Sequence, residues 1–550
     1  MISAKPLAGQ QAGNVRPIAG STMHITAREW RWVLIVTTCL VTLAFLPLLW
    51  VALADDEFRL MGVLHNYLDG GTYFSKMQIG MAGGWLVEFL HTPEPLPGAL
   101  IQTLYPFLGH VAQASGLSIP VIFHVARAAA AVFMYCAIYV CAAAIWSRVS
   151  MRRLFFVVAC VSAGLGWLFA GALNTDMIPD FALLPEAFPF YSSLMNVHFP
   201  LAIAGLSLIA GLLIGALRPG AELDATFRYG WVAAGVLSLG LSVLYPQALV
   251  PLIGAVTLYA GIDWFQKRRF PVRVARYWVA LVLPALPMAV YLGTVVSQMP
   301  AFAQWNQQNV TPAPSVVEML LGFAIPLIIA VPGIIRASRR FEADGDRLML
   351  LWLICIIVCI YLPTNIQRRF AAGIMLPIAY FAVRAVSDYW RFHVPRRIQR
   401  PVLAATLAVS VISPLLVLIL PAAAAVGAPQ QVTGLVLERD YAPALDWLEP
   451  QVDARDVILA APTVGIWVPG FTGGRVVYAH PYETLDAEQR RLAVESWFAQ
   501  AAGADCQTLL GSYRIRYVIV GPRERALGEA ACANGLRIVR QFGEVAVYAG

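Results

Sequence analysis

A chain of 550 residues in which 59% are hydrophobic and only 13% are charged is too apolar for a water-soluble fold, which has no place to hide that much surface from water. Its net charge of +7 does not point to nucleic acid, because the basic residues sit between apolar runs and form no continuous stripe. With a mean hydropathy of +0.67, the composition defines a polytopic α-helical membrane protein whose main solvent is the bilayer.

Residues 1–30 are polar with scattered Gly and Pro and read as a cytoplasmic N-terminal tail. Arg28 and Arg31 then precede an apolar run from Trp32 to Leu53. Ala52-Leu53-Ala54 resembles a cleavage site, but the run exceeds the roughly 7–15 apolar residues of a signal peptide, so it reads as a first anchor. Further spans are expected near 119–147, 154–172, 197–217, 229–245, 247–264, 277–297, 316–335, 348–363, 370–388 and 401–424, about eleven in all. The stretch 97–116 is apolar but broken by Pro97, Pro106 and Gly109, and reads as a helix lying at the interface.

Basic residues set the orientation. Arg148, Arg152 and Arg153, Arg218 and Arg228, Lys267 to Arg276, Arg336 to Arg347, and Arg391 to Arg400 all fall in connections on one side. The opposite connections before the C-terminal domain hold only Arg59, Lys76, Arg368 and Arg369, so the first side is cytoplasmic. This places two loops, 54–118 and 173–196, and the tail from 425 onward on the outer face of what reads as a bacterial plasma membrane. The domains expected are therefore the tail 1–30, a transmembrane domain 31–424 and an extracytoplasmic α/β domain 425–550. In that last part, short β-rich runs such as Val457 to Ala460 and Arg516 to Val520 alternate with helical stretches such as Leu485 to Ala502. It contains Cys506 and Cys532, which an oxidising compartment allows to pair; two buried thiols are the other reading.

Candidate chemistry lies in the outer segments. Asp55, Asp56 and Glu57 follow the first anchor, where a carboxylate serves either as a solvated helix end, as a base toward a hydroxyl, or as a ligand for a divalent cation such as Mg or Mn. The second loop carries Asp176 and Asp180, then Glu186 and His198. Arg368 and Arg369 oppose the charge bias, and a guanidinium pair at a membrane surface suits a lipid phosphate, with snorkelling to headgroups as the alternative. Arg127 lies inside an apolar span one turn after His124 and calls for a polar partner, for which an acid of the outer loops is a candidate. The segment Gln298–Pro314 carries Trp305, Asn306 and Asn309, suited to sugar hydroxyls or to an interfacial belt. The segments Gly470–Gly474 and His480–Thr484 read as turns able to bind polar ligands or simply to connect strands.

A first span ending in acids, a long outer loop with amphipathic helices and a soluble outer tail resemble the GT-C membrane glycosyltransferases. Asp56, Phe58 and Tyr67-Leu68-Asp69-Gly70-Gly71 are similar to the start of the first loop in oligosaccharyltransferase catalytic subunits and protein O-mannosyltransferases. His91-Thr92-Pro93-Glu94-Pro95-Leu96-Pro97 resembles a proline-rich turn of aminoarabinose and mannosyl transferases. The resemblance implies a polyprenyl-phosphate sugar donor, membrane lipids as partners and a lipid, glycan or protein acceptor. It also implies Asp56 as the catalytic acid, with Arg368, Arg369, Glu94 and Asp176 at the donor and Asp55, His91, Arg127 and His198 in support. A cation, if present, falls to Asp56 and Asp176. The chain departs from oligosaccharyltransferases in lacking a paired-acid motif in the second loop and a Trp-Trp-Asp motif in the tail, which argues against Asn glycosylation. A lipid transporter or flippase is the alternative, and a scaffold for envelope proteins a third reading. The scarcity of charges at mid-span and the absence of a clear internal repeat weigh against a transporter.

Overall fold

The computed structural model describes residues 24–54, 57–169, 184–218, 225–342, 345–432, 434–500 and 506–550. Its larger part is a bundle of apolar helices. The first, α1 (Ala27–Ala54), is capped at its start, where Glu29 Oε2 accepts from the amide and hydroxyl of Thr26 at 3.0 and 2.9 Å. The other oxygen of the same carboxylate accepts from Arg152 at 2.8 Å and Tyr139 at 3.0 Å, so one buried acid ties α1 to its neighbours.

Among the described residues eight helices are long and apolar enough to cross a membrane, and a ninth crossing arises if Val316–Gly322 and Ala324–Arg340, bent by 90°, form one span. The expected number of about eleven is not confirmed. Gly230–Leu244 and Asp346–Ile360 have 15 residues each, so at ~1.5 Å per residue they reach only about 23 Å of a ~30 Å hydrocarbon layer. Burial sorts the long helices. Windows within His198–Leu217 and Gln367–His393 are 78% and 83% buried, whereas those in Val272–Gln298 and Gln399–Gly427 are 17% and 22% buried. The first pair forms the centre of the bundle and the second faces the surroundings, where exposed Leu283, Leu286 and Val290 suit lipid.

At one end, here called the loop face, the chain from Phe58 onward builds strand β1 (Phe58–Leu60), helix α2 (Tyr67–Met81) and helix α3 (Leu104–Ser115). The last two touch backbone to backbone at glycines: a Cβ on Gly80 would sit 2.0 Å from Pro106 O, and one on Gly109 1.9 Å from Met77 O. Any larger residue at either position would force these helices apart.

The C-terminal region supplies strand β2 (Val436–Glu438), which pairs antiparallel with β1 through Phe58 and Glu438, and a separate five-stranded mixed sheet. In that sheet β3 (Val457–Leu459) is parallel to both β4 (Arg475–Val476) and β5 (Ile515–Val520), while β7 (Val545–Ala549) runs antiparallel between β5 and β6 (Ile538–Phe542). Cys506 and Cys532 form a disulfide, with Cα atoms 5.4 Å apart. The sheet is not tethered loosely. One apolar core joins Phe74, Met77 and Tyr105 of the first loop to Ile458, Trp467 and Val547 of the C-terminal region. Ion pairs reinforce it: Arg475 with Glu88, Arg490 with Glu94, and Lys76 with Glu483.

Candidate functional site

The first loop, the second-loop exit, the bundle and the C-terminal region meet around a cavity of about 640 Å³ on the loop face. That volume suits a small ligand or the head of a larger one. Its walls differ in chemistry. Leu244, Val250, Met288, Leu292 and Val296 make one side apolar, and Met288, Leu292 and Val296 belong to Val272–Gln298, the least buried of the long helices. Arg368, Arg369, Asn306 and Asn309 make another side polar, with Asp69, Glu186 and His198 nearby.

The arginines stand on a short 3-10 turn, Gln367–Ala371, before the central helix Met375–Ala385. The turn is laced to the preceding loop: the Arg368 amide donates to Thr311 O at 3.2 Å, the Thr311 amide to Asn365 O at 2.7 Å, and Arg369 Nη2 to Asn309 Oδ1 at 3.0 Å. Such anchoring fixes the turn and presets the direction of the Arg369 guanidinium before any ligand arrives.

Asp69 lies in the first turn of α2, where a negative charge complements the helix dipole. Asn66 caps that turn, accepting from the Asp69 amide at 3.3 Å and donating from Nδ2 to the carboxylate at 2.5 Å. Burial raises the pKa of Asp69, against Arg369 and Lys76, and Glu483 adds to the rise. Burial likewise raises Glu186, whose carboxylate lies 3.5 Å from the Tyr245 hydroxyl, while Arg368 and Arg369 act in the opposite sense. His198 begins a central helix and bonds through Nδ1 to the Tyr105 hydroxyl at 2.7 Å; the Tyr105 ring stacks on Tyr73 at 4.1 Å.

The C-terminal region closes the cavity with His480, Tyr482 and Glu483. Burial would raise the Glu483 pKa, but the Lys76 ammonium, with Nζ 2.6 Å from Oε1, holds this carboxyl well below the usual range. Burial lowers the pKa of His480 to about 3, against the pull of Glu483, so its ring is neutral at neutral pH.

The residues singled out from sequence divide accordingly. Arg368, Arg369 and His198 line the cavity, as do Trp305, Asn306 and Asn309 of the aromatic loop. Asp55, Asp56 and Asp176 lie outside the described residues. Glu94, expected at the donor, does not line the cavity. It accepts from Arg490 Nη1 and Thr92 Oγ1, each at 2.8 Å, and against the effect of burial these partners lower its pKa, so it braces the first loop to the C-terminal region. His91 is also a brace: its Nε2 donates to Ile466 O at 3.1 Å, its carbonyl accepts from Thr484 Oγ1 at 2.5 Å, and its Nδ1 faces Glu483 at 3.6 Å. Among the described residues Arg127 finds backbone carbonyls, donating to Leu194 O at 2.7 Å and Ser193 O at 3.2 Å, with its guanidinium over the Phe45 ring. Asp69, Glu186 and Glu483 each lie within a segment the sequence singles out, but no individual role at the site was expected of them. Among the described residues no group of three or more His, Cys, Asp or Glu side chains is arranged to hold a metal ion.

The helical bundle, the helix-bearing first loop and the C-terminal region packed on it constitute the GT-C fold. Solved structures of that class superpose over nearly the whole chain. ArnT from Cupriavidus metallidurans bound to undecaprenyl phosphate is 14% identical at a TM-score of 0.55, covering 94% of this chain and 98% of its own. The Archaeoglobus fulgidus oligosaccharyltransferase tethered to an acceptor peptide is 12% identical at 0.51, covering 94% of this chain and 74% of its own. The arabinofuranosyltransferase AftD from Mycobacteria is 15% identical at 0.50; the match covers 96% of this chain but only 42% of AftD. No protein-family profile and no curated protein matches the chain. At these identities the likeness shows the fold alone.

Proposed function

We propose that this protein is a glycosyltransferase that moves a sugar from a polyprenyl-phosphate-linked donor to a lipid, glycan or protein acceptor at the outer face of the membrane. The observation that carries the reading is the joining, in one cavity, of an apolar wall built partly on the least buried long helix and a guanidinium pair at its polar end. An isoprenoid phosphate has the same two-part character, and ArnT of the same fold binds one. Fold alone does not set chemistry, whereas the side chains lining a cavity do.

In the inverting reaction, the acceptor hydroxyl oxygen attacks the anomeric carbon as the bond from that carbon to the phosphate oxygen breaks. The hydroxyl proton passes to a carboxylate, and the polyprenyl phosphate leaves with the electron pair. Asp56 is the proposed base. Arg368 and Arg369 stabilise the charge that grows on the phosphate by charge-assisted, fork-shaped hydrogen bonds. Asp176 is proposed to position the donor. A divalent cation, if used, falls to Asp56 and Asp176; the described residues offer no set that fits one, and no step here runs through it.

The test is transfer from radiolabelled polyprenyl-phosphate sugars to membrane extracts, with purified wild type, Asp56→Asn and Arg369→Gln in parallel. Transfer by wild type that is lost in both variants supports the reading. Movement of the lipid across reconstituted vesicles without any transfer would replace it with the flippase.

A further inference from the structure

The bundle carries a second cavity, of about 480 Å³, at the end away from the loop face. Helix His198–Leu217 measures the separation: His198 lines the first cavity and Ala216 the second, and at ~1.5 Å per residue they stand about 27 Å apart along the axis.

The floor of this cavity is firmly packed. Phe227 and Tyr277 are buried there, and the Tyr277 hydroxyl donates to Phe227 O at 3.2 Å. Glycines seat both rings: a Cβ on Gly215 would fall 1.8 Å from Phe227 Cε1, and one on Gly230 2.5 Å from the Tyr277 hydroxyl oxygen. The rim is charged. Arg228 and Arg276 are exposed on it, and half-buried Arg273 joins them, donating from Nη1 to Ala216 O at 3.1 Å. Every charged side chain among the described lining residues is a guanidinium; residues 219–224 lie outside the described ones.

Two of these charges oppose the rule that governs helix ends. Arg273 and Arg276 stand at the start of Val272–Gln298, whose first turn has no acid, and the N-terminus of a helix itself carries about +0.5 charge. An anion bound at the rim offsets that repulsion.

The surroundings select the kind of anion. Trp231 is exposed on the rim, and the Arg228 guanidinium lies 5.4 Å from the exposed Tyr229 ring; aromatic side chains of this sort collect at the headgroup level of a bilayer. An apolar groove of about 490 Å³ lies on the same two helices, lined by Leu208 and Leu212 of His198–Leu217 and by Ala233 and Val236 of Gly230–Leu244. Leu212 is one turn from Ala216, and Ala233 is next but one to Trp231. A phospholipid has this two-part character, whereas a free phosphate ester makes no use of the groove.

We propose that the arginine-rimmed cavity binds the headgroup of an anionic phospholipid, with an acyl chain along the groove. The site is separate from the glycosyl-transfer cavity and does not rest on that reading.

The purified full chain in a neutral detergent is titrated with phosphatidylglycerol and with phosphatidylcholine, bound lipid being counted by native mass spectrometry, and glycerol phosphate is added as a competitor that has the headgroup without the chains. Phosphatidylglycerol should bind more tightly than phosphatidylcholine. Arg228→Gln with Arg276→Gln should weaken phosphatidylglycerol by about fivefold for each arginine removed. Arg396→Gln with Arg397→Gln, two exposed arginines that do not line the cavity, should leave it unchanged. All four side chains are exposed, so both double variants should keep the thermal midpoint of wild type in detergent. Equal losses from the two pairs would reduce the effect to general surface charge and overturn the proposal. Equal binding of the two lipids overturns it as well, and displacement by glycerol phosphate at concentrations comparable to the lipid reassigns the cavity to a free phosphate ester.

Discussion

Lys76 Nζ and Glu483 Oε1 stand 2.6 Å apart, both buried, although 407 residues of chain separate them. Lys76 belongs to α2 of the first loop and Glu483 to the turn that closes the cavity, so this contact holds the C-terminal region at the site. Removing one partner strands the other charge in a dry environment, which costs about 3–5 kcal/mol, whereas removing both costs far less. Lys76→Met and Glu483→Gln should each lower the thermal midpoint, and the double variant should recover most of the loss. A double-mutant cycle with no coupling would show that the apolar core alone seats the region.

The same turn makes stability pH-dependent. Glu483 has a folded pKa below its ordinary value, so its contribution is complete above about pH 5 and declines as pH falls below about 4.3. His480 titrates near 3 when folded and near ~6.5 when unfolded, so between those values the unfolded chain binds more protons and stability again falls with acid. His480→Asn should therefore flatten the plot of unfolding free energy against pH between about 4 and 6, by up to about 1.4 kcal/mol per pH unit. An unaltered slope would mean that the ring is not buried as a neutral base.

At the other end of the cavity, Arg369→Gln should reduce turnover by roughly 10²–10³-fold, the effect of removing one charge-stabilising donor from a dry site. Lysine should rescue poorly, because an ammonium lacks the planar fork. Asp69 has the opposite sign. Its charge lies close enough to Arg369 to interact electrostatically, so Asp69→Asn should tighten binding of undecaprenyl phosphate several-fold. Weaker binding would show instead that Asp69 orients the arginine.

Asp56→Asn should lower the rate of transfer by ~10²–10⁴-fold while leaving the thermal midpoint near that of wild type. Glu94→Gln should behave in the reverse way, because Glu94 is engaged by Arg490 and Thr92: a lower midpoint with the affinity for undecaprenyl phosphate retained. Measuring both quantities for both variants separates a chemical role from a bracing one.

The disulfide joins Cys506 to Cys532 across a separation of 26 residues, and closing a loop of that size in the unfolded chain stabilises by about 3–4 kcal/mol in the chain-entropy account. Both cysteines pack in an apolar cluster with Trp497, Phe498 and Val518, on a part of the sheet that does not line the cavity. Cys532→Ser should therefore accelerate hydrogen exchange in β5 and the helix Ala487–Ala499 without altering ligand affinity.

Much of this protein was legible in one dimension because bilayer and backbone impose local rules. Apolar runs marked the helices, since a spanning segment must satisfy its own hydrogen bonds within about twenty residues. Arg368 and Arg369 stood out because they broke the charge pattern of the connections, and they line the cavity. The His480–Thr484 turn was noticed for its polarity, but the pairing of its Glu483 with Lys76 was not.

The sequence by itself determined a polytopic helical membrane protein, the approximate places of its long helices and the mixed character of its C-terminal region, all of which follow from periodicity and composition. Tertiary structure decided which polar groups meet. Glu94 was paired with Arg490 and Lys76 with Glu483 across about 400 residues, and Arg127 was turned to the carbonyls of Ser193 and Leu194. It also shortened Gly230–Leu244 and Asp346–Ile360 to 15 residues each, because helix ends are set by turns and neighbours as well as by hydropathy. The physical reason is common to these cases: a helix records its solvent in every residue, whereas a charge records nothing of its partner until the chain has folded around it.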